Sequence, residues 1–151
     1  NKMMKTIETT KQGKNFTVVN VGKLSDIKDY LLTLGDIKIP GKVFVGQALN
    51  ATGSELSFQS LAPNQDSGFL HTHKNHEELY FILKGKGLYQ VDGEEVPVTE
   101  GSIIRVAPEG RRALKNTGDD ELLMLCVQYK GNTFTAEDAS DGVILNDELK
   151  W

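Results

Sequence analysis

The 151-residue sequence contains a single cysteine, Cys126, so no disulfide bond can form within the chain. Cys126 lies inside the apolar run LLMLCVQY, and we expect it to be a small core residue and not a nucleophile. No serine or cysteine nucleophile with a paired base stands out, and there is no glycine-rich phosphate loop. Chemistry that depends on either feature is therefore not indicated.

Clustered positive charge and long apolar runs are also scarce. The formal net charge is -4, and the basic residues gather only in one short group, Arg105, Arg111, Arg112 and Lys115. Because nucleic-acid binding calls for clustered Lys and Arg, we expect no nucleic-acid partner. No apolar segment approaches the length of a membrane span, and the opening NKMMKTIETTK lacks the hydrophobic stretch of a secretory signal. We expect no membrane contact and a cytoplasmic location.

Short strand patterns dominate residues 41–130. Most are separated by glycine-bearing or acidic turns, as at residues 50–53, 92–93 and 117–120, and no internal repeat is present. Many short strands with such turns are typical of a β-sandwich or barrel, so an all-β fold is predicted. The predicted strands are KVFVGQAL, ELSFQSLA, the HTH segment, ELYFILK, GLYQVDGEEVPV, SIIRVA, RALKN and ELLMLCVQY.

The two ends differ from this central unit but belong to the same structural domain. Residues 1–40 are predicted to contain a strand over 14–22 and one short helix with Ser25 as N-cap and Gly35 as its stop. Residues 131–151 form a C-terminal extension, rich in acidic residues, with a helical turn near 136–139 and a short strand at 143–145.

All three histidines fall within six residues, in HTHKNHEELYFILKGKG. On an extended segment His71 and His73 point to the same side, and the polar residues after them could turn the chain so that Glu78 opens an antiparallel partner strand. Two imidazoles and a carboxylate on a shared face hold a divalent transition metal and leave open positions. Histidines in polar loops often have no such role. However, an unpaired charge at the entrance of the apolar strand would be costly.

These residues also carry a family resemblance. The order Gly68, His71, Thr72, His73, Glu78, Gly85 resembles the first motif of the cupin superfamily, although the leading glycine stands three positions before His71 where six is usual. GSIIRVAPEGRRALKNTGDD resembles the second motif. Counted from Gly101, the expected histidine ligand is replaced by Arg112, the following asparagine is present as Asn116, and Pro108 and Gly110 each sit one place late.

The resemblance implies a cupin-type double-stranded β-helix, or jelly-roll barrel, with the metal site built from His71, His73 and Glu78. Arginine offers no lone pair to a metal, so a fourth protein ligand is not expected. The guanidinium of Arg112 suits an anionic ligand instead, although it could also simply pair with Glu78. Tyr80 and Gln59 are further candidates for ligand binding, from strand alternation.

Three functions are compatible with this site, and no catalytic residue is assigned. The first is a metal-dependent enzyme, an isomerase or decarboxylase, acting on a small anionic or sugar-like substrate. The second is an Fe(II) oxygenase. The third is a non-catalytic module that binds or senses a sugar or organic acid. The ligand types accept Fe, Mn, Ni, Co or Zn, so the cofactor is one divalent transition metal of unspecified identity.

We also expect a homodimer. In ELYFILK both strand faces are apolar, with Tyr80 and Ile82 on the side of Glu78 and Leu79, Phe81 and Leu83 on the other. Such a strand is normally covered on both sides, by its own chain or by another subunit. Size-exclusion chromatography with light scattering should therefore give twice the 16.7 kDa chain mass. A 16.7 kDa species at micromolar concentration would contradict this prediction.

Overall fold

A computed structural model describes residues 4–151, so the first three positions of the predicted 1–40 unit lie outside the described residues. The described chain is mostly β, as predicted, and its helical segments are short. They are a single α-helical turn, α1 (Gly46–Leu49), and 3₁₀ turns at Leu24–Asp29 and Asp138–Ser140. The strands are β1 (Glu8–Gln12), β2 (Thr17–Asn20), β3 (Leu31–Leu34), β4 (Ile37–Pro40), β5 (Lys42–Phe44), β6 (Glu55–Leu61), β7 (His76–Lys84), β8 (Lys86–Val91), β9 (Glu94–Thr99), β10 (Ile103–Val106), β11 (Arg112–Asn116) and β12 (Leu122–Lys130).

Two antiparallel sheets form the body of the fold. One has the strand order β10-β7-β12-β6-β5 and the other the order β11-β8-β9. The chain passes from β7 to β8 through Gly85, whose φ of +88° favours glycine. A Cβ there would also lie 2.4 Å from the carbonyl oxygen of Glu121. Within residues 4–151 no strand ladder joins the two sheets, so the double-stranded architecture is present without the closed barrel that was expected.

The main core lies between these sheets. On β7 the side chains of Glu78, Tyr80 and Ile82 are buried, which confirms the predicted inward face. They are opposed by residues of the three-stranded sheet such as Tyr89 and Leu114. A second apolar cluster covers part of the outer face of the large sheet. It consists of the buried residues Ile27, Tyr30, Val43 and Leu123, and the half-buried Phe58 and Leu83 pack against it.

The predicted N-terminal helix is wrong in most of its length. The 3₁₀ turn Leu24–Asp29 has Lys23 as its N-cap, not the predicted Ser25. After this turn β3 pairs with β4 around Gly35, which has a φ of +59°. Ile27 packs on the sheet while the following leucines complete the hairpin. Apolar spacing in DIKDYLLTL is compatible with either structure, and the pairing with β4 determines which one forms.

Other predicted elements differ at their ends. The strand that begins at Lys42 ends at Phe44, and α1 begins two residues later, at Gly46. The polar strand β1, which was not predicted, pairs with β2. Residues 143–145 form no strand, and Ile144 is 96% exposed. The predicted turn at Asp92 and Gly93 is confirmed, and it joins β8 to β9 as a hairpin with both residues at positive φ. In the described part of the chain, no helix is both long and apolar enough to cross a membrane.

Asn116 connects three separate parts of the fold. Its fully buried side chain donates from Nδ2 to the carbonyl oxygens of Leu61 at 2.9 Å and Asp120 at 2.8 Å, and its Oδ1 accepts the N–H of Gly118 at 2.8 Å. These bonds fix the end of β6 against the turn between β11 and β12.

We expect Asn116→Ala to lower the free energy of unfolding by about 2 kcal/mol, because the buried carbonyl group of Leu61 and the part-buried carbonyl group of Asp120 lose their donor. Urea denaturation measures this difference. The exposed Asn146→Ala is the matched control and should change stability by less than about 0.5 kcal/mol. Equal stability of the Asn116 and Asn146 variants would show that these bonds do not stabilise the fold.

Candidate metal centre

The candidate ligands come from one strand and one loop. Glu78 lies on β7, between β10 and β12. It pairs with Val106 on β10 and with Gln128 on β12. Both edges of β7 are therefore occupied. The prediction that the histidine segment forms a strand paired with β7 is wrong for this reason.

The histidine loop is instead held by the segment around β11. The N–H groups of His71 and Arg112 each donate to the carbonyl oxygen of the other, at 3.3 and 3.2 Å. The N–H of His73 donates to Pro108 O at 2.9 Å. These bonds bring the loop across the opening between the two sheets, so both imidazoles reach Glu78 without a hairpin.

The three side chains converge as the sequence predicts. Nε2 of His71 lies 3.5 Å from Oε1 of Glu78, and Nε2 of His73 lies 3.3 Å from Oε2. One ligand atom from each residue falls within 4.8 Å of the others. His76 is turned away, since its ring stacks on His73 at 5.8 Å and its Nδ1 bonds Oε1 of Gln128 at 2.7 Å.

Glu78 is 3% exposed and is ionised at neutral pH. Burial acts to raise its pKa, but hydrogen bonds from His71, Tyr80 and Cys126 outweigh burial and hold the pKa at about 2. Tyr80 Oη donates to Oε1 at 2.6 Å, and Cys126 Sγ donates to Oε2 at 3.2 Å. The charge on the carboxylate is therefore maintained inside the core.

Arg112 occupies the remaining side of Glu78 and is 1% exposed. Its Nη2 donates to Ala107 O at 2.9 Å and its Nη1 to Pro108 O at 3.4 Å, while Nε lies 3.6 Å from Oε1 of Glu78. Arg112 therefore forms an ion pair with Glu78. This pairing was one of the two roles expected for Arg112.

These residues line a cavity of about 240 Å³ between the sheets. Tyr80 and Gln59, both predicted from strand alternation, are buried in its wall. Two buried side-chain atoms have no hydrogen-bond partner within residues 4–151, Tyr89 Oη and Arg112 Nε, and both residues line the cavity. Unpartnered buried polar atoms are costly, so polar atoms of a ligand or solvent fit this space.

The sequence did not identify all of the cavity residues. Cys126 was expected only as a core residue, yet it donates to Glu78, and burial raises the pKa of its thiol. Its contact follows from register, since Cys126 pairs with Tyr80 and Gln128 pairs with Glu78. Lys42 also lines the cavity, and no local pattern in the sequence singled it out.

The donor set fits a divalent transition metal. Burial lowers the pKa of His73, and the nearby His71 and Arg112 act in the same direction while Glu78 opposes them, so its imidazole is neutral at pH 7. A neutral imidazole and an ionised carboxylate are the protonation states that ligate metals. Two imidazoles and a carboxylate suit Fe, Mn, Ni, Co or Zn.

Comparison with known proteins supports the same family. A cupin domain model matches residues 57–128. The crystal structure of a cupin protein from Bacteroides fragilis superposes with a TM-score of 0.65 at 32% identity and covers 76% of this chain and 93% of that one. Among curated proteins, an oxalate-binding protein of Thermotoga maritima is 33% identical over 67 residues, which are 44% of this chain and 54% of the relative.

A glucose-6-phosphate isomerase of Pyrococcus abyssi is 34% identical over 65 residues, which are 40% of this chain and 34% of the relative. The chain therefore spans about half or less of the length of these two curated relatives. The fold and the pocket define a small all-β protein with a two-histidine, one-carboxylate cluster. With the domain match and the Bacteroides structure, they show that the chain belongs to the cupin superfamily.

Proposed function

We propose that this protein binds one divalent transition metal through His71, His73 and Glu78 and binds a small organic anion in the adjoining cavity. The observation that carries the proposal is the convergence of three ligand atoms within 4.8 Å in a half-buried, partly apolar pocket. A divalent ion in this position would supply Lewis acidity toward an oxygen ligand.

Several residues of the chain would act on the ligand side. Arg112 places a fixed positive charge behind Glu78, which would favour an anion in the cavity. Tyr80 holds Glu78 in place through its hydroxyl, and Gln59 offers an amide to the ligand from β6. The Thermotoga relative, by name an oxalate-binding protein, supports a small carboxylate as the ligand.

The proposal covers two kinds of activity. A metal-dependent enzyme of the isomerase, decarboxylase or Fe(II) oxygenase class would convert the bound anion or a sugar-like substrate, and the Pyrococcus isomerase supports the sugar-like case. A non-catalytic module would bind or sense the organic acid without converting it. The name of the Thermotoga protein favours this second candidate.

Metal content tests the shared premise. Protein purified without chelator and supplied with Mn, Fe, Co, Ni or Zn should retain about one ion per chain, measured by inductively coupled plasma mass spectrometry. His71→Ala and Glu78→Ala should lose it, since each removes a ligand. His76→Ala is the matched control and should retain the ion, because His76 bonds Gln128 instead of joining the cluster. Equal metal content in all four proteins would refute the site.

Oxalate serves as the first ligand probe. We expect isothermal titration calorimetry to detect oxalate binding to the metal-loaded protein and a loss of at least tenfold in affinity for Glu78→Ala, because ligand binding requires the ion. Conversion without oxygen would indicate a decarboxylase or isomerase, and oxygen consumption that depends on substrate would indicate an oxygenase. Binding without conversion would indicate the binding module. Undiminished oxalate binding by the Glu78 variant would contradict the proposal.

A further inference from the structure

Lys42 projects into the same cavity from the opposite edge of the large sheet. In the antiparallel register Lys42 pairs with Gln59, and Gln59 pairs with Met124 on the next strand. Residues directly opposite each other on neighbouring strands point to the same side of a sheet. All three line the cavity, as does Phe44, two positions after Lys42. The amine is therefore part of the pocket wall.

In the described part of the chain, no carboxylate forms a salt bridge with Lys42. Within residues 4–151 the lysines that form salt bridges are Lys5, Lys84 and Lys150. The Lys42 amine instead lies 5.2 Å from the centroid of the Phe44 ring. Burial lowers the pKa of this amine, although Cys126 and Glu78 act in the opposite direction. A half-buried ammonium group without a counter-ion is costly, and an anion from outside the chain would stabilise it.

Arg112 does not fill this role, although it is also cationic. Its terminal nitrogens donate to the carbonyl oxygens of Ala107 and Pro108, and its Nε points toward Glu78. Its side chain is 1% exposed. Arg112 therefore keeps only its buried Nε without a hydrogen-bond partner, whereas the whole ammonium group of Lys42 forms no salt bridge within the described residues.

Lys42 and Glu78 come from strands that are three places apart in the large sheet. In the sheet order, β12 and β6 separate β7 from β5. With neighbouring strands spaced by about 4.8 Å, the backbones at these two positions are roughly 14 Å apart along the sheet. An anion that touches both the histidine cluster and Lys42 must span the part of this separation that the Lys42 and Glu78 side chains do not cover.

Apolar side chains line the space at the mouth. Leu32, Leu34 and Ile39 come from the hairpin of β3 and β4, and Phe44 and Phe69 complete this rim. Leu34 is 52% exposed and Phe69 is 55% exposed, so both remain available to a ligand. An apolar segment between two polar ends would remove this surface from water.

We propose that Lys42 binds one anionic group of the ligand, and that the ligand is an elongated organic anion with an apolar segment that packs on this rim. Its other polar end lies at His71, His73 and Glu78. This inference rests on the proposed function and specifies the ligand class of the same site. Lys42 is the residue that contacts the negatively charged group of the ligand.

The test uses a series of straight-chain dicarboxylates, oxalate, succinate, glutarate and adipate, titrated calorimetrically into metal-loaded protein. In the wild type, we expect glutarate or adipate to bind more tightly than oxalate. Lys42→Met keeps most of the side-chain volume but removes the charge, and it should weaken binding of the longer acids by about tenfold or more. Lys42→Arg should retain most of this affinity, because it keeps a cation.

Three controls separate the possible failures. Lys38→Met changes an exposed lysine on β4 and should bind all four acids as the wild type does. Metal content of Lys42→Met should equal that of the wild type, because Lys42 is not one of the three candidate ligands. A circular dichroism melt confirms that the variant is folded.

The inference is overturned if Lys42→Met binds adipate and glutarate as the wild type does, or if oxalate binds the wild type more tightly than any longer acid. It is also overturned if metal-loaded wild type binds none of the four. Failure of the proposed function is distinguishable, since the wild type would then retain no metal or would bind no oxalate when metal-loaded, whereas failure of this inference alone leaves both intact.

Discussion

The buried carboxylate of Glu78 is the charge around which the rest of the pocket is organised. An ionised group inside a core costs free energy unless hydrogen bonds and opposite charges compensate for it. Here the compensation comes from β7 itself, from β12, from β11 and from the histidine loop. These four parts of the chain therefore meet at one residue. The groups that contact the carboxylate are His71, His73, Tyr80, Cys126 and Arg112.

Local patterns in the sequence predicted most of the strands and the convergence of His71, His73 and Glu78. Period-two alternation identified the inward face of β7, and Asp92-Gly93 identified the turn between β8 and β9. The clustering of histidines pointed to the three candidate ligands, yet it suggested the wrong strand partner. The neighbours of β7 in the sheet are β10 and β12, which follow later in the chain. Local residue spacing contains no information about which distant strands pair.

The same limit explains the remaining differences. Apolar spacing from Ile27 to Leu34 fits a helix, but the partner strand β4 converts its second half into a hairpin at the mouth of the cavity. Lys42 looked like an ordinary strand residue, because its half-buried position arises only when β5 joins the edge of the large sheet. For Arg112, the family resemblance indicated the position, whereas the partners of its guanidinium became evident only from the packed structure.

The attachment of the histidine loop to β11 also has a consequence for the order of folding. His71 and His73 are positioned by backbone bonds to Arg112 and Pro108, which are distant in sequence, and not by a local turn. Contacts between distant segments form only after their loop-closure entropy has been overcome. The three candidate ligands therefore come together only when this loop docks on β11. An ion would meet these side chains already assembled, and its binding would slow unfolding more than it accelerates folding.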